Sequence, residues 1–290
     1  MQLFLLILVM FSLTLIIGLS FSIIFQASKF FNFVLAVIIT SAPYFTYLYL
    51  IQLQFPVLLA IPLAIISVVA MGLLTESALF KPLRKCNASF VALMLSSLGF
   101  YIVLQNVISL IWGDRTLSIR PAQIRVGHEF LGAVITNTQI ITIVVCFALF
   151  IACAFLMKYS RIGRNIRAVA SNSELSNIVG ISSDRVILWA YGISSALAGI
   201  AGILIAYDTD MRPTMGFNWF LYGAVAMIIG GVGSIWGLIG GALLLVSIQY
   251  MIAYFFGTMW MEPASYVLLI LFLIVRPLGF SGKRLKKVEI

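Results

Sequence analysis

MQLFLLILVMFSLTLIIGLSFSIIF, residues 1–25, carries no charged side chain and no proline. It is longer than the roughly 20 apolar residues that span a bilayer as a helix. It has neither a basic leading segment nor a small-residue cleavage site, so it reads as a retained first span and not as a signal peptide. Runs of the same kind recur along the chain. They predict spans over Leu3–Phe25, Phe30–Ile51, Phe55–Leu74, Phe90–Trp112, Gln139–Met157, Val186–Tyr207, Phe217–Ile229, Gly237–Phe256 and Pro263–Val275. The expected fold is therefore an all-α polytopic bundle in one membrane domain, residues 1–290, with about nine spans. Eight remain open if the glycine-rich region around Gly230–Gly241 is re-entrant.

The composition agrees with that class. Hydrophobic residues make up 62% of the chain and charged residues 9%, against about 25% charged in soluble domains. The net charge of +9 is a matter of sidedness and not of nucleic-acid binding. If the longest polar segment, Lys158–Arg185, is cytoplasmic, alternation puts Lys29, Lys81, Arg84, Lys85, Lys158, Arg161, Arg164, Arg167, Arg185, Arg276, Lys283, Arg284, Lys286 and Lys287 inside. Only Arg115, Arg120, Arg125 and Arg212 then lie outside. This is the positive-inside asymmetry, with the N-terminus outside and the C-terminus cytoplasmic.

That polar segment reads KYSRIGRNIRAVASNSELSNIVGISSDR. Ser171 followed three residues later by Glu174 fits a capping box, and Gly180 is the residue type that closes a helix in the left-handed conformation. A short helix is expected over Glu174–Val179, with Ser182, Ser183 and Asp184 available to cap the next span. Leu175, Ile178 and Val179 share one face of it. A helix this short is unstable alone in water and needs a surface. That surface is either a partner or the protein's own bundle, and the residues by themselves leave both open.

Inside the spans the polar residues are neutral: Asn32, Tyr44, Ser96, Ser97, Gln105 and Asn106. The absence of ionisable groups at mid-depth argues against an ion-coupled carrier. These six either line a path for a polar solute or tie helices together. Gly230, Gly231, Gly233, Gly237 and Gly241 are concentrated before and within one span, and Gly237 and Gly241 have the four-residue spacing of close helix packing. No GxxxxGK[ST] motif occurs, so any ATPase lies on another polypeptide. No catalytic or metal-ligating constellation emerges. Cys86, Cys146 and Cys153 are scattered without neighbouring histidines, and the single histidine, His128, stands in a polar loop with mixed charges running from Gly113 to Thr138.

Several stretches together resemble the LivH-type inner-membrane permeases of branched-chain amino acid ABC transporters. They are Phe80-Lys81-Pro82-Leu83-Arg84 with Leu98-Gly99, Leu104-Gln105-Asn106 and Trp112-Gly113; Gly163-Arg164-Asn165-Ile166-Arg167-Ala168-Val169-Ala170 through Gly180-Ile181 to Ala198-Gly199-Ile200-Ala201-Gly202; Gly230-Gly231-Val232-Gly233-Ser234 with Gly237, Gly240 and Gly241; and Arg276-Pro277-Leu278-Gly279-Phe280. The resemblance implies a coupling loop over residues 158–185, in which Arg164, Arg167, Glu174, Leu175, Ile178 and Gly180 meet cytoplasmic ATPase subunits. It also implies a second permease subunit, homologous or identical, an external solute-binding protein, and residence in a bacterial or archaeal inner membrane. The chain itself would bind no cofactor and no metal, and ATP would be used by the partner. The chain departs from the family at Asn32-Phe33-Val34-Leu35-Ala36 and Ala42-Pro43-Tyr44, which leaves the solute open between a branched-chain amino acid and another small polar molecule. A stand-alone facilitator for urea or an amide, and a membrane scaffold, are the other readings.

Overall fold

The computed structural model describes residues 1–120, 127–130, 133–276 and 279–280. The expected positions Pro121, Arg125, Pro277, Leu278 and the basic tail Lys283–Lys287 lie outside the described residues, as do the side chains of His128 and Glu129. The chain folds as α1 (Gln2–Ser28), α2 (Val34–Tyr47), α3 (Val57–Thr75), α4 (Lys81–Lys85), α5 (Phe90–Trp112), a two-stranded antiparallel ribbon β1 (Gly127–Phe130) and β2 (Ala133–Thr136), α6 (Asn137–Tyr159), α7 (Arg161–Ser171), α8 (Ser173–Ile178), α9 (Ser183–Thr209), α10 (Met215–Gly230), α11 (Ile235–Phe256) and α12 (Met261–Val275). Wide π-type turns continue α2 through Leu48–Gln52 and join α3 to α4 through Glu76–Phe80. Among the described residues, eight helices are long and apolar enough to cross a membrane. α10 is shorter, and at 16 residues it measures about 24 Å. The fold class is the all-α polytopic bundle that the apolar runs predict, a multi-pass membrane protein.

The interior is formed by α1, α2, α9 and α10. α1 is enclosed by α6, α9, α10 and α11, and α2 by α3, α5, α9 and α10. α3, α5, α6 and α12 form the rim and leave most of their surface outward. In lipid the helices gain little from burying apolar area against one another, so close approach and interhelical hydrogen bonds hold them. Ser20 and Ser194 bridge α1 and α9, their hydroxyls 2.8 Å apart, and the Ser194 hydroxyl also lies 2.6 Å from the Ser20 carbonyl. Gly202 of α9 lies so near α2 that a Cβ there would stand 2.1 Å from the Ile39 carbonyl oxygen.

The α10–α11 hairpin brings together the glycines singled out in the sequence. A Cβ on Gly237 would stand 1.9 Å from the Gly230 carbonyl oxygen, and one on Gly241 would stand 2.2 Å from that of Ala226. Gly231 and Gly233 turn the chain between the helices with φ of 93° and 84°, and Ser234 caps α11 by accepting from Gly237 N–H at 3.1 Å.

The basic residues segregate to the two ends of the bundle. Lys29, α4, α7 and the start of α9 are linked at one end by a bond from Lys29 Nζ to the Ala170 carbonyl and by the Lys81–Asp184 ion pair at 3.4 Å. Arg120 and Arg212 sit at the other, where Arg120 pairs with Asp210 at 2.8 Å and Arg212 donates to Thr116 at 2.9 Å.

Candidate functional site

The polar segment between α6 and α9 contains two helices, not one. α7 was not expected from the sequence, although Ile162, Ile166 and Val169 recur with helical spacing. Ser160 caps it by accepting from Gly163 N–H at 3.0 Å, and Ile166 and Val169 are buried against the bundle. Arg164 donates to the Tyr159 carbonyl at 2.9 Å, and Arg167 to the carbonyls of Met157 and Lys158. Both guanidinium groups therefore satisfy carbonyls that the end of α6 leaves without helical partners.

α8 follows after one extended residue. The expected capping box at Ser171 does not form, because Ser171 is the last residue of α7. The cap is Asn172, whose Oδ1 accepts from Glu174 N–H at 3.0 Å and Leu175 N–H at 3.1 Å. The helix spans Ser173–Ile178 in place of the expected Glu174–Val179. Gly180 closes it with φ of 90°: Gly180 N–H bonds the Asn177 carbonyl at 3.1 Å and Ile181 N–H the Ser176 carbonyl at 2.9 Å, the pair of bonds that defines a Schellman ending. The serines before α9 also behave differently from expectation. Ser182 makes no side-chain cap, Ser183 donates to the Ser173 carbonyl at 3.0 Å, and Asn177 Oδ1 accepts Ser183 N–H at 2.9 Å. α8 is thereby clamped to the first turn of α9.

The clamp leaves the apolar side of α8 uncovered. Leu175, Ile178 and Val179 are 59%, 80% and 78% exposed. Asn172→Ala removes the cap of so short a helix and is expected to cost about 1 kcal/mol; hydrogen exchange at the Glu174 and Leu175 amides should accelerate accordingly.

The six polar residues proposed from the sequence for a solute path do not form one surface. Asn32 and Ser97 are buried at the start of α2. Asn32 Nδ2 donates to the Tyr191 hydroxyl at 2.7 Å while its Oδ1 accepts Val34 N–H at 3.0 Å; Ser97 Oγ accepts Phe33 N–H at 3.2 Å. These two hold the α1–α2 connection at the same end as α7. Ser96 is half-buried beside Ser97 on α5. Gln105 and Asn106 lie further along α5, where Gln105 is half-buried and Asn106 exposed, with Asn106 donating to its own helix at the Ile102 carbonyl. Tyr44 is at the opposite end of α2, its ring 5.3 Å from that of Trp112. The Tyr44 hydroxyl and the Trp112 indole N–H are buried with no hydrogen-bond partner among the described residues, two unused donors side by side.

A further pair was missed. Glu76, fully buried, is bound by both terminal nitrogens of Arg84. The sequence offers no contact spacing for these residues, since eight positions of regular helix separate them by about 12 Å. The wide turn at Glu76–Phe80 brings Arg84 back over the carboxylate. At the same end of the bundle, burial holds the Lys29 ammonium below the usual lysine pKa. The cysteines form no cluster: Cys146 and Cys153 are buried on α6 and Cys86 is exposed.

The sequence model of the branched-chain amino acid transport system permease component matches residues 3–276. The chain is 33% identical to the high-affinity branched-chain amino acid transport system permease protein LivH of Escherichia coli over 225 residues, 76% of this chain and 72% of that protein. It is 32% identical to BraD of Pseudomonas aeruginosa over 231 residues, 78% of this chain and 75% of that protein. A more distant similarity, 30% over 103 residues, covers 33% of this chain and 32% of the ribose import permease RbsC of Escherichia coli. No solved structure matches the chain. With nearly its full length matched and its membrane-capable helices in one bundle, the chain belongs to the family of branched-chain amino acid transport permease components.

Proposed function

We propose that this chain is the membrane subunit of an ATP-binding cassette importer that moves a branched-chain amino acid or a similar small polar solute across the inner membrane. The observation that carries the reading is α8: a capped six-residue helix, clamped to α9, that turns Leu175, Ile178 and Val179 outward. A helix so short is held by tertiary contacts and not by its own propensity, and three apolar side chains displayed on it form an anchor for a protein groove. The occupant is the cytoplasmic ATPase, with Glu174 at the first turn and Gly180 fixing the exit. ATP is bound and hydrolysed there and not on this chain. The end that carries α7 and α8 is cytoplasmic, which satisfies the positive-inside rule and puts Arg120 and Arg212 outside, on the side where a solute-binding protein would deliver its cargo.

The outward polar surface of α5 with Gln105 and Asn106, together with the unused donors of Tyr44 and Trp112, supports a solute path completed by a second permease subunit. A polar group facing lipid is unfavourable, whereas one facing a subunit boundary or a water-filled route is not.

The test is a gentle detergent pull-down of the full chain with its nucleotide-binding partner. Replacing Leu175 and Ile178 together by serine should reduce recovery of the ATPase at least about tenfold, since anchors of this kind contribute about 2 kcal/mol each, while the amount of chain in the membrane stays unchanged. Full recovery with the variant would remove α8 as the docking element. Failure to recover any ATPase with the unaltered chain would remove the importer reading and favour a facilitator.

A further inference from the structure

The fully buried Glu76 carboxylate stands between the coupling segment and the start of α2. On one side, α4 is tied to α9 by Lys81, whose ammonium lies 3.4 Å from Asp184, the second residue of α9 and four residues beyond Gly180. On the other, Glu76 lies beside the hydroxyl of Tyr191, further along α9, and that hydroxyl accepts from Asn32 at 2.7 Å, immediately before α2. Phe80, fully buried, seals the space between them, its ring 4.9 Å from Phe30 and 6.0 Å from Tyr191. Arg84 closes the arrangement by gripping both carboxylate oxygens.

Stability alone does not account for charges at this place. Taking a carboxylate and a guanidinium out of water is unfavourable enough that a well-packed apolar pair of similar volume usually serves as well or better. Tightly packed elements move between discrete arrangements and do not deform continuously, and this pair ties α4 to the packed junction of α2 and α9. The π-type turn that creates the pair is itself a departure from regular helix of the kind that recurs at functional positions.

We propose that Glu76 and Arg84 are positioning residues of the transport cycle. Displacement of α8 shifts the clamped start of α9, and the Lys81–Asp184 and Glu76–Arg84 pairs pass that shift through Tyr191 and Asn32 to the first turn of α2. The assignment rests on the importer reading above and adds to it the route by which the ATPase acts on the membrane helices.

The test uses the complete complex in lipid vesicles, with ATP hydrolysis and uptake of labelled L-leucine measured in the same preparation. Two variants are compared, Glu76→Gln and the double variant Glu76→Leu/Arg84→Met, which leaves no charge unpaired and so separates function from folding. The double variant should retain the ATPase and its basal hydrolysis, and in both variants uptake per ATP, measured per assembled complex, should fall at least about tenfold, within the range of measured coupling between sites. Arg84→Lys, which keeps the charge but not the fork, should keep the ratio between that of the double variant and that of the unaltered complex. A double variant that transports at the unaltered ratio would overturn the proposal, as would uptake and hydrolysis falling together in step with the amount of complex. Absence of the ATPase from the unaltered complex would strike the importer reading first and is seen before any variant is made.

Discussion

Arg84→Ala should deplete the membrane of folded protein. The substitution leaves the Glu76 carboxylate fully buried without its counter-charge, and removing one member of a buried pair costs about 3–5 kcal/mol. Globular domains have only about 5–15 kcal/mol in hand, so the loss is a large share of the whole. The half-buried Lys81 is directed elsewhere, to Asp184 at 3.4 Å. The measurement is the amount of chain in the membrane fraction together with its melting in detergent. Arg84→Lys should fall between Arg84→Ala and the unaltered chain. If Arg84→Ala melts with the unaltered chain, water reaches Glu76 and the site is not dry.

Gly237→Ala should be nearly as damaging, through a different mechanism. The added methyl would sit 1.9 Å from the Gly230 carbonyl oxygen, and that oxygen belongs to backbone, so no side-chain rotation relieves the overlap. α10 and α11 must separate. Overpacking of this kind costs about 1–3 kcal/mol and more where the backbone has to move. Gly99→Ala is the matched control, since nothing lies within 4 Å of its added Cβ; it should leave the melting temperature in place. Equal melting of the two variants would show that the hairpin accommodates the methyl, and that the close approach is not what holds α10 to α11.

Most of the architecture was legible because lipid imposes a simple rule. A span must be long and apolar, so the runs themselves marked the helices; of the two short runs, Phe217–Ile229 and Pro263–Val275, the first stays short as Met215–Gly230 and the second lengthens to Thr258–Val275. The glycines at positions 230–241 were legible for a similar reason, as close packing of helices has a fixed spacing. Gly180 was readable as well, since few other residues end a helix at positive φ. What failed was local competition. Ser171 and Asn172 are both good caps, and α7 decides between them by ending at Ser171; its arginines obscure the Ile162–Ile166–Val169 stripe that marks it as a helix. The residues expected along a solute path stood out as polar groups in apolar surroundings. Residue type alone, however, did not distinguish Asn32 and Ser97, whose hydrogen bonds go to the chain itself, from Tyr44, whose hydroxyl has no such partner. Glu76 and Arg84 were hard to see because a spacing of eight is not one of the contact spacings of a regular helix, and here a wide turn lies between them.

The central position of α1 bears on how the protein is made. α1 is among the most enclosed helices, yet two of its covers, α10 and α11, follow it in the chain by well over a hundred residues. At about 5–20 residues per second, the interval is on the order of ten seconds, during which the face of α1 that meets α10 and α11 stays without its native cover. Its serines are suited to the delay. Ser12 and Ser28 donate to carbonyls of their own helix, at Val9 and Ile24, and need no later arrival. Among the described residues the Ser20 hydroxyl bonds to Ser194 alone, so the joining of α1 to α9 is the event that first gives this hydroxyl its native partner.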